Sequence, residues 1–144
     1  MKYPKELPKH EIASFHSSTV LAMSSENRTK AYFHMLRNNL LFLPMHSHDF
    51  YEINIITSGN AMHYINDKIY PAPQGTVFVI PPHYEHGYFS EESTQIFHLI
   101  LDMAFINSYH AQLNALKGYS FLFDIEPILR KRNNINLFLT LSNE

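Results

Sequence analysis

The sequence predicts a mainly β protein, a single small antiparallel barrel or sandwich followed by one or two α-helices. Between Lys30 and Leu101, short β-branched and aromatic runs alternate with turn residues at nearly regular spacing, as the strands of such a fold do. At Asp102 the apolar period lengthens to three and four residues, which is helical. The length of 144 residues, 45% hydrophobic and 17% charged, suits one domain of common size with a real core.

Residues 1–30 are the least patterned. Pro4, Pro8 and the Ser24-Ser25 pair break any sustained period, so an arm with one short helical turn is expected there. Ala31 to Leu36, then Arg37-Asn38-Asn39, then Leu40 to Pro44 reads as strand, turn and strand, because Asn tolerates the positive φ of hairpin turns. Pro44 cannot donate to a β ladder and should mark an edge or bend. After Gly59-Asn60, the runs Ala61–Ile65 and Ile69-Tyr70 flank Asn66-Asp67-Lys68 as a second hairpin. Pro71 to Gly75 is a connection, Thr76–Ile80 a buried strand, and Pro81-Pro82 its end. Thr94–Leu101 is apolar on both faces and should lie centrally in a sheet.

Asp102 is a good N-cap for a helix over 103–116, where Phe105, Ile106, Tyr109, Leu113 and Leu116 form one stripe before Gly118. Tyr119 to Pro127 is apolar without a clear period. Arg130, Lys131 and Arg132 read as a solvated helix end, and Leu137 to Leu141 as the approach to a helix capped by Ser142. The expected division is an arm over 1–30, a barrel over 31–102 and a helical region over 103–144.

Composition narrows the function classes. A net charge of −2 without a Lys/Arg face argues against direct nucleic-acid binding. With no cysteine, disulfides and thiolate metal sites are excluded and a reducing compartment is compatible. No apolar run approaches the roughly 18 residues of a membrane span, and Met1 to His10 lacks a signal core. A cytoplasmic location without membrane partners is expected.

The chemistry concentrates in Met45-His46-Ser47-His48-Asp49-Phe50-Tyr51-Glu52. Successive side chains of an extended strand alternate faces, so His46, His48 and Glu52 share one side. Two imidazoles and a carboxylate can hold a divalent ion such as zinc, nickel, iron or manganese. With 10 His, 9 Glu and 4 Gly in the chain, H-x-H-x3-E-x6-G arises by chance about once in a thousand such compositions. A further ligand position is His86, after Gly75 and Pro81.

His46, His48, Glu52 and Gly59, followed by Gly75, Pro81 and His86, resemble the two signature motifs of the cupin superfamily. The resemblance implies a small cupin (jelly-roll, double-stranded β-helix) barrel with His46, His48, Glu52 and His86 at its metal positions. Two departures stand out: His83 follows the proline pair where glycine is usual, and an upstream glycine is replaced near Leu40 or Leu41. Within the superfamily the chain resembles the amino-terminal effector-binding and dimerisation domain of AraC-type transcriptional regulators. It does so over about residues 30–144, through His46–Ile53, Asp67 to Pro71, Gly75 to His86 and Leu122 to Pro127.

That resemblance implies a small effector, with carbohydrate a candidate, a homodimer, and DNA binding only through a carboxy-terminal helix-turn-helix domain that this chain lacks. Phe50 and Tyr64 could stack on a sugar ring, and His98 and His63 could add polar contacts, although each also reads as core. Glu85 beside His86 reads as solvated. The competing readings are a metal-dependent isomerase or oxygenase of the cupin type, using the ion as a Lewis acid, and a non-catalytic binding or storage cupin.

Overall fold

Strands β3 (Leu41–His48) through β9 (Thr94–Leu101) pass back and forth between two facing sheets. The computed structural model describes residues 3–15, 29–36, 41–133 and 139–141. One sheet has the order β1-β3-β8-β5-β6 and the other β10-β7-β4-β9-β2. The elements are β1 (Lys9–Phe15), β2 (Thr29–Leu36), β4 (Tyr51–Ser58), β5 (Asn60–Ile65), β6 (Lys68–Pro73), β7 (Thr76–Ile80), β8 (His86–Ser90) and β10 (Leu139–Thr140). From β3 to β9 every connection crosses between sheets except the β5–β6 hairpin. This winding is the jelly-roll arrangement expected from the sequence.

The crossings follow from local chemistry. Gly59 turns β4 into β5 at φ +79, and a Cβ there would stand 2.4 Å from Ser93 O; only glycine fits. Asn66 makes the β5–β6 turn at φ 53, as the Asn-Asp pair predicts. Pro71 and Pro73 lie on β6, the edge of its sheet, where a missing N–H leaves no ladder bond unmade. Pro44 sits in the register shift between Leu43 and His46, the bend expected of it.

Three apolar clusters hold the layers. Ile56, Phe78, Ile80 and Ile96 from one sheet meet Ala61, Ile65, Tyr70, Ala72 and Tyr88 from the other. Burying each such side chain contributes roughly 1.5–3 kcal/mol. Leu7, Met45, Met62, Tyr64 and Phe89 cover the outside of the first sheet. Val79, Leu101, Ile106 and Phe123 join the outside of the second to the helices.

Several expectations are corrected. The strand-turn-strand over 31–44 is not a hairpin: β2 pairs along its length with β9, and β3 lies in the opposite sheet between β1 and β8. The turn at Arg37-Asn38-Asn39, like Ser24-Ser25, lies outside the described residues. Within the arm, residues 9–15 form a strand running parallel to β3, and Met45 N–H donates to Pro8 O at 2.9 Å; residues 16–28, where the expected helical turn could fall, lie outside the described residues. Leu139-Thr140 is no approach to a helix but pairs with β7; Ser142 lies outside the described residues.

The helix over 103–116 begins as expected, with the Asp102 carboxylate accepting from Phe105 N–H, but it is broken. Helix α1 (Met103–Ser108) ends at Tyr109 and α2 (His110–Asn114) follows. Ser108 Oγ donates to Ala104 O at 2.7 Å, the back-bonding by which serine bends helices. Tyr119 to Pro127 is helical, with a wide turn at Phe121–Ile125 in which Glu126 N–H reaches Phe121 O. Pro127, which has no N–H to donate back along the helix, follows directly on this wide turn at the start of α3 (Glu126–Asn133). The run Arg130-Lys131-Arg132 is only partly solvated: Lys131 and Arg132 are exposed, but Arg130 is buried at 2% exposure.

Candidate metal centre

The bend at Asp49-Phe50 carries the chain from β3 in one sheet to β4 in the other. The alternation of faces survives the corner, so His48 from the first sheet and Glu52 from the second both look inward. Strand β8 starts at His86, paired with His46 and with Ile65, and brings a third ligand, a second imidazole, to the same point. All three side chains are buried.

Among the described residues, His48, Glu52 and His86 are grouped with their ligand atoms within 4.8 Å of one another. His48 Nε2 is 3.1 Å from His86 Nε2 and 3.6 Å from Glu52 Oε2, and the third side measures 3.3 Å. A tetrahedral ion with bonds of 2.0–2.2 Å separates its ligands by about 3.3–3.6 Å. The triangle therefore fits an ion of that size.

Protonation points the same way. His48 Nδ1 is 2.8 Å from Phe50 O, and a carbonyl only accepts, so Nδ1 carries the hydrogen and Nε2 of the neutral ring a lone pair. Burial, followed by its neighbouring histidines, pushes His86 well below 6.5, against the pull of Glu52. Burial alone would raise Glu52. The imidazoles around it, His98 first and then His48 and His86, outweigh it and hold the carboxyl well below 4.5. A His86 ring held neutral beside an ionised Glu52 is a ligand pair ready for a cation.

Further residues orient these three, as the outer partners of metal ligands do. His98 Nδ1 lies 2.8 Å from Glu52 Oε1, and Asn54 Nδ2 donates to Glu52 Oε2 at 3.2 Å. His63 Nε2 is 3.3 Å from His86 Nδ1, and burial keeps His63 well below 6.5. Phe50 stacks on His48 with ring centres 4.2 Å apart and planes 7° apart. The half-buried His46 adjoins the group, its ring centre 4.4 Å from that of His86 and its Nδ1 2.9 Å from Pro44 O.

Two residues singled out in the sequence lie elsewhere. Tyr64 belongs to the cluster outside the first sheet, and its hydroxyl donates to Pro4 O. It lines a surface groove of about 290 Å³ with Lys5, Lys9 and Lys68. Glu85 pairs with Lys9 Nζ at 2.7 Å on the surface. Asn54 escaped the sequence reading, although its i, i+2 relation to Glu52 on one strand was the signal that places it on the same face.

The departure at the second motif is absorbed. His83 takes φ 66, the left-handed conformation that a glycine would take there, so the loop still delivers His86 to the group.

Comparison with known proteins agrees with this architecture. The chain matches the AraC-like ligand binding domain family over residues 34–142. It is 47% identical over 45 residues to the HTH-type transcriptional activator RhaR of Mannheimia succiniciproducens, covering 31% of this chain and 16% of that protein. A RhaR of Pectobacterium atrosepticum is 36% identical over 53 residues, covering 37% and 19%. The matched part is thus a small fraction of those regulators' length. A cupin 2 conserved barrel domain protein from Salinispora arenicola shares the fold at TM-score 0.50 and 20% identity, over 62% of this chain and 76% of that one. No helix of the described residues is long and apolar enough to cross a membrane. Two facing sheets wound as a jelly roll, with a family match over three-quarters of the chain, lead to one assignment: this chain belongs to the AraC-like ligand binding domain family.

Proposed function

We propose that the chain is the effector-sensing and dimerisation domain of an AraC-type transcriptional regulator, that it carries out no turnover, and that DNA is bound by a separate helix-turn-helix domain. The observation that carries the reading is the family match over residues 34–142. The two RhaR relatives support it, since both are named as transcriptional activators of the helix-turn-helix type.

A small molecule, with carbohydrate the first class to test, is the effector. His48, Glu52 and His86, with His46 beside them, hold a divalent ion of the zinc, nickel, iron or manganese kind. A bound ion would supply a Lewis-acidic point for effector oxygen atoms. The chain's own residues hold the ligand atoms in place and keep the carboxylate ionised.

The helical stripe supports a dimer. Ile106 is buried, and Phe105 and Leu113 pack beside it on the second sheet, but Tyr109 and Leu116 remain 49% and 60% exposed. Apolar side chains at helical spacing that their own barrel leaves uncovered suit a two-fold contact.

The second reading, a metal-dependent cupin isomerase or oxygenase, is favoured by the ligand triangle alone. Loading the chain with iron, manganese, nickel or zinc and assaying sugar isomerisation and dioxygen uptake separates the two. No turnover, together with saturable binding of a monosaccharide, is expected. Sustained turnover lost in His48→Ala would establish the enzyme instead.

A further inference from the structure

The sequence offers His98 as an effector contact, yet its ring is only 1% exposed and is engaged with a ligand of the metal centre. Its Nδ1 stands 2.8 Å from Glu52 Oε1. A carboxylate only accepts, so this nitrogen carries a hydrogen and donates it. Strand pairing sets the contact: in the ladder between β4 and β9, His98 lies opposite Asn54 and Glu52 opposite Ile100. Glu52 and His98 are therefore diagonal neighbours on one buried face.

The two oxygens of Glu52 are thereby given different tasks. Oε1 is held by His98, whereas Oε2 faces His86 Nε2 at 3.3 Å and His48 Nε2 at 3.6 Å. Asn54 Nδ2 donates to Oε2 at 3.2 Å, and Asn54 is itself hydrogen-bonded to the Tyr88 hydroxyl of the facing sheet. A carboxylate fixed at both oxygens cannot turn about its axis. One oxygen is presented to an ion and the other is kept on an imidazole.

Coordination number follows from this. A carboxylate that can turn binds large, oxygen-liganded ions through both oxygens, and manganese sites are octahedral and oxygen-rich. An octahedral ion with bonds near 2.1 Å would bring adjacent ligands to about 3.0 Å of one another. The sides of 3.3 and 3.6 Å exceed that and suit a tetrahedron, while the side of 3.1 Å between the two imidazoles fits either. Among the described residues, the grouped ligands are His48, Glu52 and His86, without His46. Three protein ligands leave one tetrahedral corner open, as in zinc centres that admit an outside donor.

We propose that His98 is a positioning residue that keeps Glu52 a one-oxygen ligand and so makes the centre select a four-coordinate ion of the zinc kind over six-coordinate manganese. The proposal rests on the reading that the ligand triangle holds a divalent ion, and adds to it a coordination geometry and the residue that sets it. Without the His98 hydrogen bond, Glu52 can present both oxygens. A six-coordinate ion gains from the extra donor, and a tetrahedral one does not.

The test titrates the whole chain, stripped with a chelator, with zinc(II), manganese(II) and cobalt(II), in the parent, His98→Leu and His98→Gln. Cobalt reports the geometry, since its four-coordinate complexes absorb visible light far more strongly than six-coordinate ones. The parent should give intense cobalt bands. In His98→Leu these should weaken and the ratio of zinc to manganese affinity should fall about tenfold, whereas His98→Gln, whose amide can still donate to Oε1, should keep both near the parent. Lost packing alone would weaken all the ions alike and leave the ratio where it was. An unchanged ratio in His98→Leu, or weak six-coordinate bands in the parent, overturns the proposal and leaves the metal reading standing. No uptake of any of the three ions by the parent overturns both. Should His98→Leu fail to fold, the cobalt spectra decide: intense bands in the parent that His98→Gln keeps carry the proposal, and weak bands in the parent overturn it.

Discussion

The backbone N–H of His83 donates to the carbonyl of His48 at 2.7 Å, tying the loop of the second motif to the end of the strand that carries the first. His83 pays for this contact with a left-handed backbone at φ 66, which costs a residue with a Cβ about 1–2 kcal/mol.

His83→Gly removes that strain while leaving the N–H in place. The variant should gain roughly 0.5–1 kcal/mol, read as a higher urea midpoint at unchanged slope. A loss of stability would mean that the exposed His83 side chain makes a contact worth more than the strain.

Metal binding should follow the ligand triangle. After chelator treatment the chain should take up one zinc ion, and a hundredfold excess over the dissociation constant should stabilise it by about 2.7 kcal/mol. Glu52→Gln and His48→Ala should each weaken binding by at least about tenfold. Unchanged affinity in both would remove the triangle as the metal site.

Acid should destabilise the metal-free chain from just below neutral pH. Burial holds His63 and His86 below 6.5 in the fold, so on unfolding below that pH each takes up a proton. Their contribution is complete above 6.5 and is lost as the pH falls towards their folded values. Two such protons give a slope of up to about 2.7 kcal/mol per pH unit. Glu52, held below 4.5, adds a loss in the same direction below that pH. Glu126, raised by burial against the pull of Arg130, gains its proton first in the folded state and offsets part of the fall. Urea titrations at pH 7, 6 and 5 measure the slope; a flat profile would show that the two imidazoles are not held neutral.

Leu116→Asp tests the dimer at a position whose side chain is 60% exposed, so folding should be unaffected. Sedimentation should show a dimer for the parent and at least a tenfold weaker association for the variant. A parent that stays monomeric at high concentration, or a variant equally dimeric, would remove this stripe as the contact.

What the sequence alone determined is whatever chemistry acts within a few residues. The shared parity of His48 and Glu52, the turns at Gly59 and Asn66, the N-cap at Asp102 and the strand character of Thr76–Ile80 all depend on alternation, φ preference or a nearby donor. Pairing partners were beyond it. The Asn-rich stretch between β2 and β3 reads as a hairpin turn, yet β2 pairs with β9 more than fifty residues away, and no local signal in either strand encodes that partner. Arg130 belongs to the same class. Three consecutive basic residues read as a solvated helix end until the seam between β6 and β7 places one of them against Val79 O and Glu126. A charged side chain enters an interior only where it finds an acceptor and a counter-charge; Glu126 stands four residues back along the helix, but the Val79 carbonyl is supplied by tertiary structure alone.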